Sequence, residues 1–177
     1  MMTRVGLVAD THGCLDPKVG ERLRGCALVA HAGDVGGDAV LHALAAASPD
    51  VRAVAGNNDV AAKWVGDDLR LLEALPSVQH IHLPGGLLVV VHGHTILPAK
   101  RRHAKLRQMF PDARAIVYGH SHRQVVDTNA EPWILNPGAA GRARTYGGPC
   151  YLLLHAAGEK WHVESFQLPP PGHSGGG

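Results

Sequence analysis

The sequence is short of cysteine, of aromatic residues, of unbalanced charge and of long apolar runs, and each shortage weighs against a class of protein. Its three cysteines, Cys14, Cys26 and Cys150, form an odd, scattered set with no C-x-x-C spacing. That argues against a disulfide framework and a thiolate zinc site, and it suits a reducing cytoplasm. A net charge of +2 implies neither a nucleic-acid nor a membrane partner by itself. The longest strongly apolar run, Leu87 to Val91, is far too short to cross a bilayer. The chain reaches Asp10 without a secretory pattern. The expectation is a cytoplasmic protein with neither a membrane nor a nucleic-acid partner.

What is present describes an ordinary globular chain. Its 177 residues fit one domain. A chain this long buries roughly two-thirds of the surface exposed when unfolded, so it needs no disulfide staples. The Pro/Gly/Ser-rich end reads as a flexible tail, so residues 1–168 are the expected domain and 169–177 the tail.

Along the first third, short apolar runs alternate with helical stretches. Arg4 to Ala9, Ala27 to Ala32 and Val51 to Ala55 read as strands, with helices over Pro17 to Arg24 and Asp38 to Ala47. This spacing predicts parallel βαβ units. Val78 to Leu83 and Leu87 to Val91 flank Pro84-Gly85-Gly86, an antiparallel turn signal. Ala99 to Phe110 reads as a basic helix stopped by Pro111, either a solvated face or a guide for anionic substrates. Short strands are expected over 115–118, 124–127 and 133–135, and a final hairpin around Gly158 from Tyr151 to Phe166. The region 61–75 is ambiguous between helix and loop.

Histidine is plentiful, thirteen against two phenylalanines. His42, His80, His82, His103, His155, His162 and His173 fall in no usable pattern. The others follow apolar runs: Asp10-Thr11-His12, His31-Ala32-Gly33-Asp34, His92-Gly93-His94 and Gly119-His120-Ser121-His122, with Gly56-Asn57-Asn58-Asp59 ending a fifth run. In α/β sheets, ligand sites form outside the carboxyl ends of strands. If these strands lie side by side, Asp10, His12, Asp34, Asn57, His92, His120 and His122 meet at one edge. Carboxylate, amide and imidazole donors make a site for manganese, iron, nickel or zinc. The one-residue spacing in Asp10-Thr11-His12 and His120-Ser121-His122 sends both side chains the same way if the backbone stays extended. A carboxylate shared between two cations would hold them roughly 3.5–4 Å apart, the spacing that clamps an in-line displacement. Taken singly, each cluster has a plainer reading: Asp10 as a helix cap, Gly33-Asp34 as a turn, Gly56 to Asp59 as a loop. Together and in this order they point to a metal centre.

In series, D-x-H, G-D, G-N-x-D, H-G-H, G-H-x-H and N-P-G resemble the calcineurin-like metallophosphoesterase superfamily, and the length resembles its small phosphodiesterase branch, whose members also resemble the retromer scaffold subunit. The match spans about Val5 to Gly138. It implies an α/β fold, a four-layer αββα sandwich of mixed sheets with a dinuclear site at the strand ends. It also implies Asp10, His12, Asp34 and His122 on one metal and Asp34, Asn57, His92 and His120 on the other, bridged by Asp34. Two divalent ions, manganese first among them, are the implied cofactors. Two departures stand out. Asn58 occupies the position where many relatives carry a proton-donating histidine; asparagine is no general acid, though it can hydrogen-bond a phosphoryl oxygen. Asn136-Pro137-Gly138-Ala139 has alanine where relatives often have serine.

The expected activity is hydrolysis of a small phosphodiester by a hydroxide bridging the metals. His94 either contacts substrate or orients a ligand, and Asp59 either supports the ligands or simply makes a turn. A phosphomonoesterase or a nuclease would use the same site, and a metal-binding scaffold or interaction protein without turnover is the alternative on the same fold.

Overall fold

The computed structural model describes residues 2–64 and 68–170. Strands β1 (Thr3–Val8), β2 (Leu28–His31) and β3 (Val51–Ala53) alternate with helices α1 (Pro17–Arg22) and α2 (Asp38–Ala45). All three strands pair in parallel, as their spacing predicts, with Leu7 opposite Ala30 and Ala30 opposite Arg52. Helix α1 begins where the Asp16 carboxylate accepts from Lys18 N at 2.9 Å, with Pro17 in the first position. There a missing N–H costs nothing.

The region read as ambiguous holds a 3-10 turn (Ala61–Lys63) and α3 (Asp68–Ala74). Residues 65–67 lie outside the described residues, as do 171–177 of the expected tail. A second sheet follows: β4 (Val78–Leu83), β5 (Gly86–Val91), β6 (Ala115–Tyr118), β7 (Val125–Asp127) and β8 (Trp133–Asn136). Its order is β4-β5-β6-β8-β7, with β5, β6 and β8 parallel and the two edges antiparallel. The expected basic helix opens as a 3-10 turn (Ala99–Arg101) and continues as α4 (Arg102–Met109). The last hairpin, β9 (Cys150–Ala157) and β10 (Lys160–Gln167), returns to the first sheet, where β9 lies antiparallel to β1 and the order becomes β10-β9-β1-β2-β3.

Alternation along the strands builds the layers. Val5, Leu7, Ala30, Leu152 and Leu154 from one sheet meet Leu88, Val90, Ala115, Val117 and Leu135 from the other in a single buried cluster. The opposite faces are apolar too. Val8, Val29 and Leu153 pack on Val19, Leu23, Val40 and Leu44 of the first helices and their flanks. Val89, Ile116 and Ile134 pack on Ile96 and Leu106. Strands buried on both faces read as unbroken apolar runs, which is why β1, β5 and β6 stood out. The four layers are helix, sheet, sheet and helix. Among the described residues no helix is long and apolar enough to cross a membrane.

The sheet–sheet core makes one prediction. Leu154 is fully buried within it, so Leu154→Ala should cost about 2–5 kcal/mol in urea unfolding, transfer and cavity terms together. A loss below about 1 kcal/mol would show that the two sheets do not close over this side chain.

Candidate metal centre

The parallel strands of both sheets deliver their carboxyl-terminal loops to one place. Asp10 N donates to Gly33 O at 3.0 Å and His12 N to Asp34 O at 2.9 Å, joining the loops after β1 and β2. His92, following β5, reaches across from the second sheet, its Nδ1 lying 2.8 Å from Ala32 O. The loop after β6 joins through His120 N, which donates to Asp10 Oδ1 at 3.1 Å.

The backbone there is not extended, contrary to the simple reading of the D-x-H and H-x-H spacings. Asp10, His12, Asp34, His120 and His122 all have positive φ, between 47° and 65°. Each such residue costs on the order of 1–2 kcal/mol relative to ordinary backbone. Strain of this kind collects at functional sites where surrounding bonds over-determine it. Two glycines make the close approaches possible. Gly33 has φ +88° and a Cβ there would strike the His92 ring, while a Cβ on Gly56 would overlap the backbone nitrogen and carboxylate of Asp34.

Two donor groups result. In the first, ligand atoms of Asp10, His12, Asp34 and His122 all lie within 4.8 Å of one another. His12 Nε2 is 3.1 Å from His122 Nε2 and 3.8 Å from Asp34 Oδ2, and His122 Nε2 is 3.6 Å from Asp10 Oδ1. In the second, Asn57 Oδ1 is 3.1 Å from His92 Nε2 and 3.0 Å from His120 Nδ1, and His92 Nε2 is 3.4 Å from Asp34 Oδ1. Donors bound at about 2.1 Å to one ion in octahedral or tetrahedral geometry stand about 3.0–3.4 Å apart. Asp34 turns one oxygen toward each group.

The hydrogen bonding fits cations better than protons. Ala32 O can only accept, so His92 Nδ1 carries hydrogen, and the opposite Nε2 faces two oxygen acceptors, Asn57 Oδ1 and Asp34 Oδ1. A bare lone pair there would be repelled, so the position calls for positive charge. Burial works to keep His92 neutral, yet the hydrogen bond and charge of Asp34 and the charge of Asp10 outweigh it and raise its pKa. Asp10 Oδ2 is buried without a partner, and burial foremost pushes that carboxyl up to about 7. For Asp34 burial acts upward as well, but bonds from His92 and Asn58 hold the carboxyl well below the usual range. The remaining imidazoles are kept neutral, as ligands must be. Burial lowers His12, His94 and His120, and burial with the Arg144 charge lowers His122 to about 4. His122 Nδ1 donates to Arg144 O at 3.3 Å, leaving Nε2 free for the centre.

The expected auxiliary residues take up distinct positions. Asn58 directs its backbone N–H to Asp34 Oδ1 and its side-chain N–H to Asp34 Oδ2, both at 2.8 Å, so it holds the shared carboxylate. Asp59 does not face the donors: its oxygens accept from Val35 N, Gly36 N, Gly56 N and the Trp64 indole, pinning the loops on both sides of Asp34. It is a positioning residue. His94 lies tilted beside His92 and His120, with ring centroids 5.3 and 6.2 Å away, and its buried Nδ1 has no partner. The basic helix is put to structural use: Arg107 pairs with Asp127 at 2.8 Å, and buried Arg102 lies over the Tyr118 ring.

Three residues carried no role in the sequence. His31 is fully buried; its Nδ1 accepts from Gly33 N at 3.2 Å and its Nε2 lies 2.8 Å from Thr11 Oγ1, so it braces the loops bearing Asp10 and Asp34. The only sign of it was its place in the run ending at Asp34. Arg144 and Lys63 border the centre from loops with no motif: Arg144 Nη2 is 3.4 Å from His12 Nε2, and Lys63 Nζ is 2.9 Å from Asn58 Oδ1. Asn136, opening the N-P-G motif, donates to Gly119 O and Ser121 Oγ and so ties down the loop carrying His120 and His122.

A profile of the calcineurin-like phosphoesterase superfamily domain matches residues 3–159. Among solved structures, vacuolar protein sorting 29 from Cryptosporidium parvum aligns with a TM-score of 0.75 at 20% identity, covering 95% of this chain and 98% of that one. The zinc complex of vacuolar protein sorting 29 from Entamoeba histolytica gives 0.73 at 17%, covering 94% and 99%. A predicted phosphoesterase from Streptococcus pneumoniae gives 0.65 at 20%, covering 97% and 95%. At such identities these likenesses speak for the fold. No curated protein sequence matches significantly.

Acid should attack the centre through its neutral histidines. His31 and His122 are lowered from 6.5 to about 4 by burial. Between those values the unfolded chain binds more protons than the folded one, so their contribution is whole above pH 6.5 and is lost as pH falls toward 4. The melting temperature should drop steadily across that window, and bound metal should leave as pH falls through it. A flat melting temperature from pH 6.5 to 4.5, or full metal retention at pH 5, would contradict this.

Proposed function

The chain belongs to the calcineurin-like phosphoesterase superfamily, and we propose that within it this protein is a phosphodiesterase dependent on two divalent metal ions, acting on small phosphate esters. The observation that carries the reading is the sharing of Asp34 between two donor groups, one oxygen at 3.8 Å from His12 Nε2 and the other at 3.4 Å from His92 Nε2. Oxygen donors from Asp10, Asp34 and Asn57 and four imidazoles, with no thiolate, favour manganese, with iron, nickel or zinc as alternatives. When bound, such a pair supplies an acidified water as nucleophile and positive charge for the phosphoryl oxygens.

The chain's own groups do the rest. Asp10, His12, Asp34 and His122 would hold one ion, and Asp34, Asn57, His92 and His120 the other. Asn58 keeps Asp34 in its bridging orientation through two hydrogen bonds. With Asn58 where many superfamily members carry histidine, that position supplies no strong acid to the leaving group; an amide moves no proton. His94 lies beside His92 and His120, where it either contacts substrate or orients a ligand. The three cysteines are free thiols, the state a reducing compartment preserves, which supports a cytoplasmic setting.

The scaffold reading draws on a different observation. An apolar groove of about 350 Å³, lined by Leu41, Ala45, Val51, Leu71, Leu75 and Pro76 among others, lies between α2 and α3. Turnover separates the two readings.

Purified protein stripped of metal and reloaded with manganese should hydrolyse bis(p-nitrophenyl) phosphate. Asp34→Ala should lower kcat/KM about 10³-fold or more by removing the bridge. Aryl diesters should be cleaved far faster than alkyl diesters, because nitrophenolate leaves without a proton. Equal rates on both, or full activity in Asp34→Ala, would overturn the mechanism. No turnover in a fully loaded protein would favour the scaffold.

A further inference from the structure

We propose that a second anion site, formed by Lys63, Arg144 and the cavity beside His12, flanks the metal centre and takes a further phosphate carried on one ester arm of the substrate. The inference rests on the phosphodiesterase reading and names the class of diester. The cavity measures about 300 Å³ and is lined by His12, Gly36, Asn58 and Lys63. One wall is thus a metal-ligand candidate and another the residue that holds Asp34. Its volume is at the lower end for ligand pockets, about 300–1,000 Å³, and suits one arm of a substrate.

Lys63 lines the cavity and Arg144 reaches its His12 wall, with no carboxylate paired to either among the described residues. Lys63 ends a 3-10 turn anchored by buried Trp64, whose indole donates to Asp59 at 3.3 Å. Its ammonium spends one N–H on Asn58 Oδ1 at 2.9 Å and keeps two for a ligand. Arg144 is in the left-handed region at φ 52°, and its carbonyl is engaged by His122 Nδ1 at 3.3 Å, which fixes where the side chain begins.

Both placements cost electrostatic energy. The charges of Lys63 and Arg144 each act against positive charge on His12, and a dinuclear centre would add to the repulsion. Arg144 Nη2 lies 3.4 Å from His12 Nε2, the same lone pair a cation would take. Once that lone pair is committed, the exposed guanidinium N–H is free for another acceptor, and a phosphate matches its fork with two oxygens.

Charge counting sets the ligand. Two divalent cations, Asp10, Asp34 and an anionic nucleophile sum to about +1, matched by one phosphodiester monoanion. Lys63 and Arg144 add two positive charges, matched by one phosphate dianion. A substrate with both groups satisfies the whole site, and binding at the second spends remote affinity on holding the scissile ester in place.

The manganese-loaded protein should be compared on two substrates, the p-nitrophenyl ester of thymidine 5′-phosphate and the same ester bearing a 3′-phosphate. We expect kcat/KM about tenfold higher with the 3′-phosphate, mostly through KM, as for about 1.4 kcal/mol of added binding. In Lys63→Gln and Arg144→Gln the preference should shrink toward unity, with metal content and melting temperature unchanged. Arg144→Lys should recover part of it, since charge returns without the fork. Equal kcat/KM for both substrates in the parent protein, or a preference that survives the double substitution, overturns the proposal. Should neither ester be cleaved, the phosphodiesterase reading fails, and calorimetry decides the anion site separately. Adenosine 3′,5′-bisphosphate should bind the loaded protein about tenfold tighter than adenosine 5′-monophosphate, a difference the double variant abolishes. Equal affinities would overturn it.

Discussion

The carboxylate of Asp34 ties the two donor groups together, and through them the two sheets. Its oxygens face His12 from the first sheet and His92 from the second. Its backbone carbonyl accepts from His12 N at 2.9 Å, and Asn58 donates to both carboxylate oxygens. The residues that follow it, Val35 and Gly36, are held by Asp59. A group fixed on so many sides loses little further freedom on binding ions, so the donors are set in place by folding rather than gathered by the metal. Left-handed backbone at five donor positions belongs to the same arrangement, because loops that turn this tightly can bring alternate residues to one point.

Electrostatics then explains why the centre calls for cations. Asp10 and Asp34 lie close enough to interact, yet their surroundings move them in opposite directions, Asp10 up to about 7 by burial and Asp34 down by hydrogen bonds. His92 is drawn toward protonation, while the other histidines around it are driven from it. Protons thus substitute poorly for divalent ions: one buried carboxylate oxygen, Asp10 Oδ2, is left without a partner, and imidazoles compete for charge. Positive charge at the midpoint of both donor groups satisfies all of them together. The same logic reaches outward to Lys63 and Arg144, exposed cations placed beside a cationic centre, a placement that an anionic ligand would favour.

Much of this was legible in the chain itself. β1, β5 and β6 appeared as unbroken apolar runs because they are covered on both faces, and the β4–β5 turn was marked by Pro84-Gly85-Gly86. Helix α1 was read from Pro17 onward. Other features were not legible for definite reasons. The return of β9 to lie against β1 joins residues about 150 positions apart, with Leu7 opposite Leu152, and no local pattern encodes that pairing. The expectation of extended backbone at the D-x-H and H-x-H spacings failed because side-chain alternation is a property of strands, and these residues lie just beyond strand ends. His31 resembled an ordinary strand residue until its neighbours, Thr11 and Gly33, were known.

The sequence by itself determined the kinds of donor and their order after apolar runs, since residue chemistry and strand periodicity are local properties readable along the chain. Only the tertiary structure decided which oxygen of Asp34 meets which group, which imidazole nitrogen faces inward, and that Lys63 and Arg144 stand at the rim. Those depend on hydrogen bonds and packing between segments far apart in the chain, such as Ala32 against His92 and Arg144 against His12, and distances of that kind exist only once both sheets have closed.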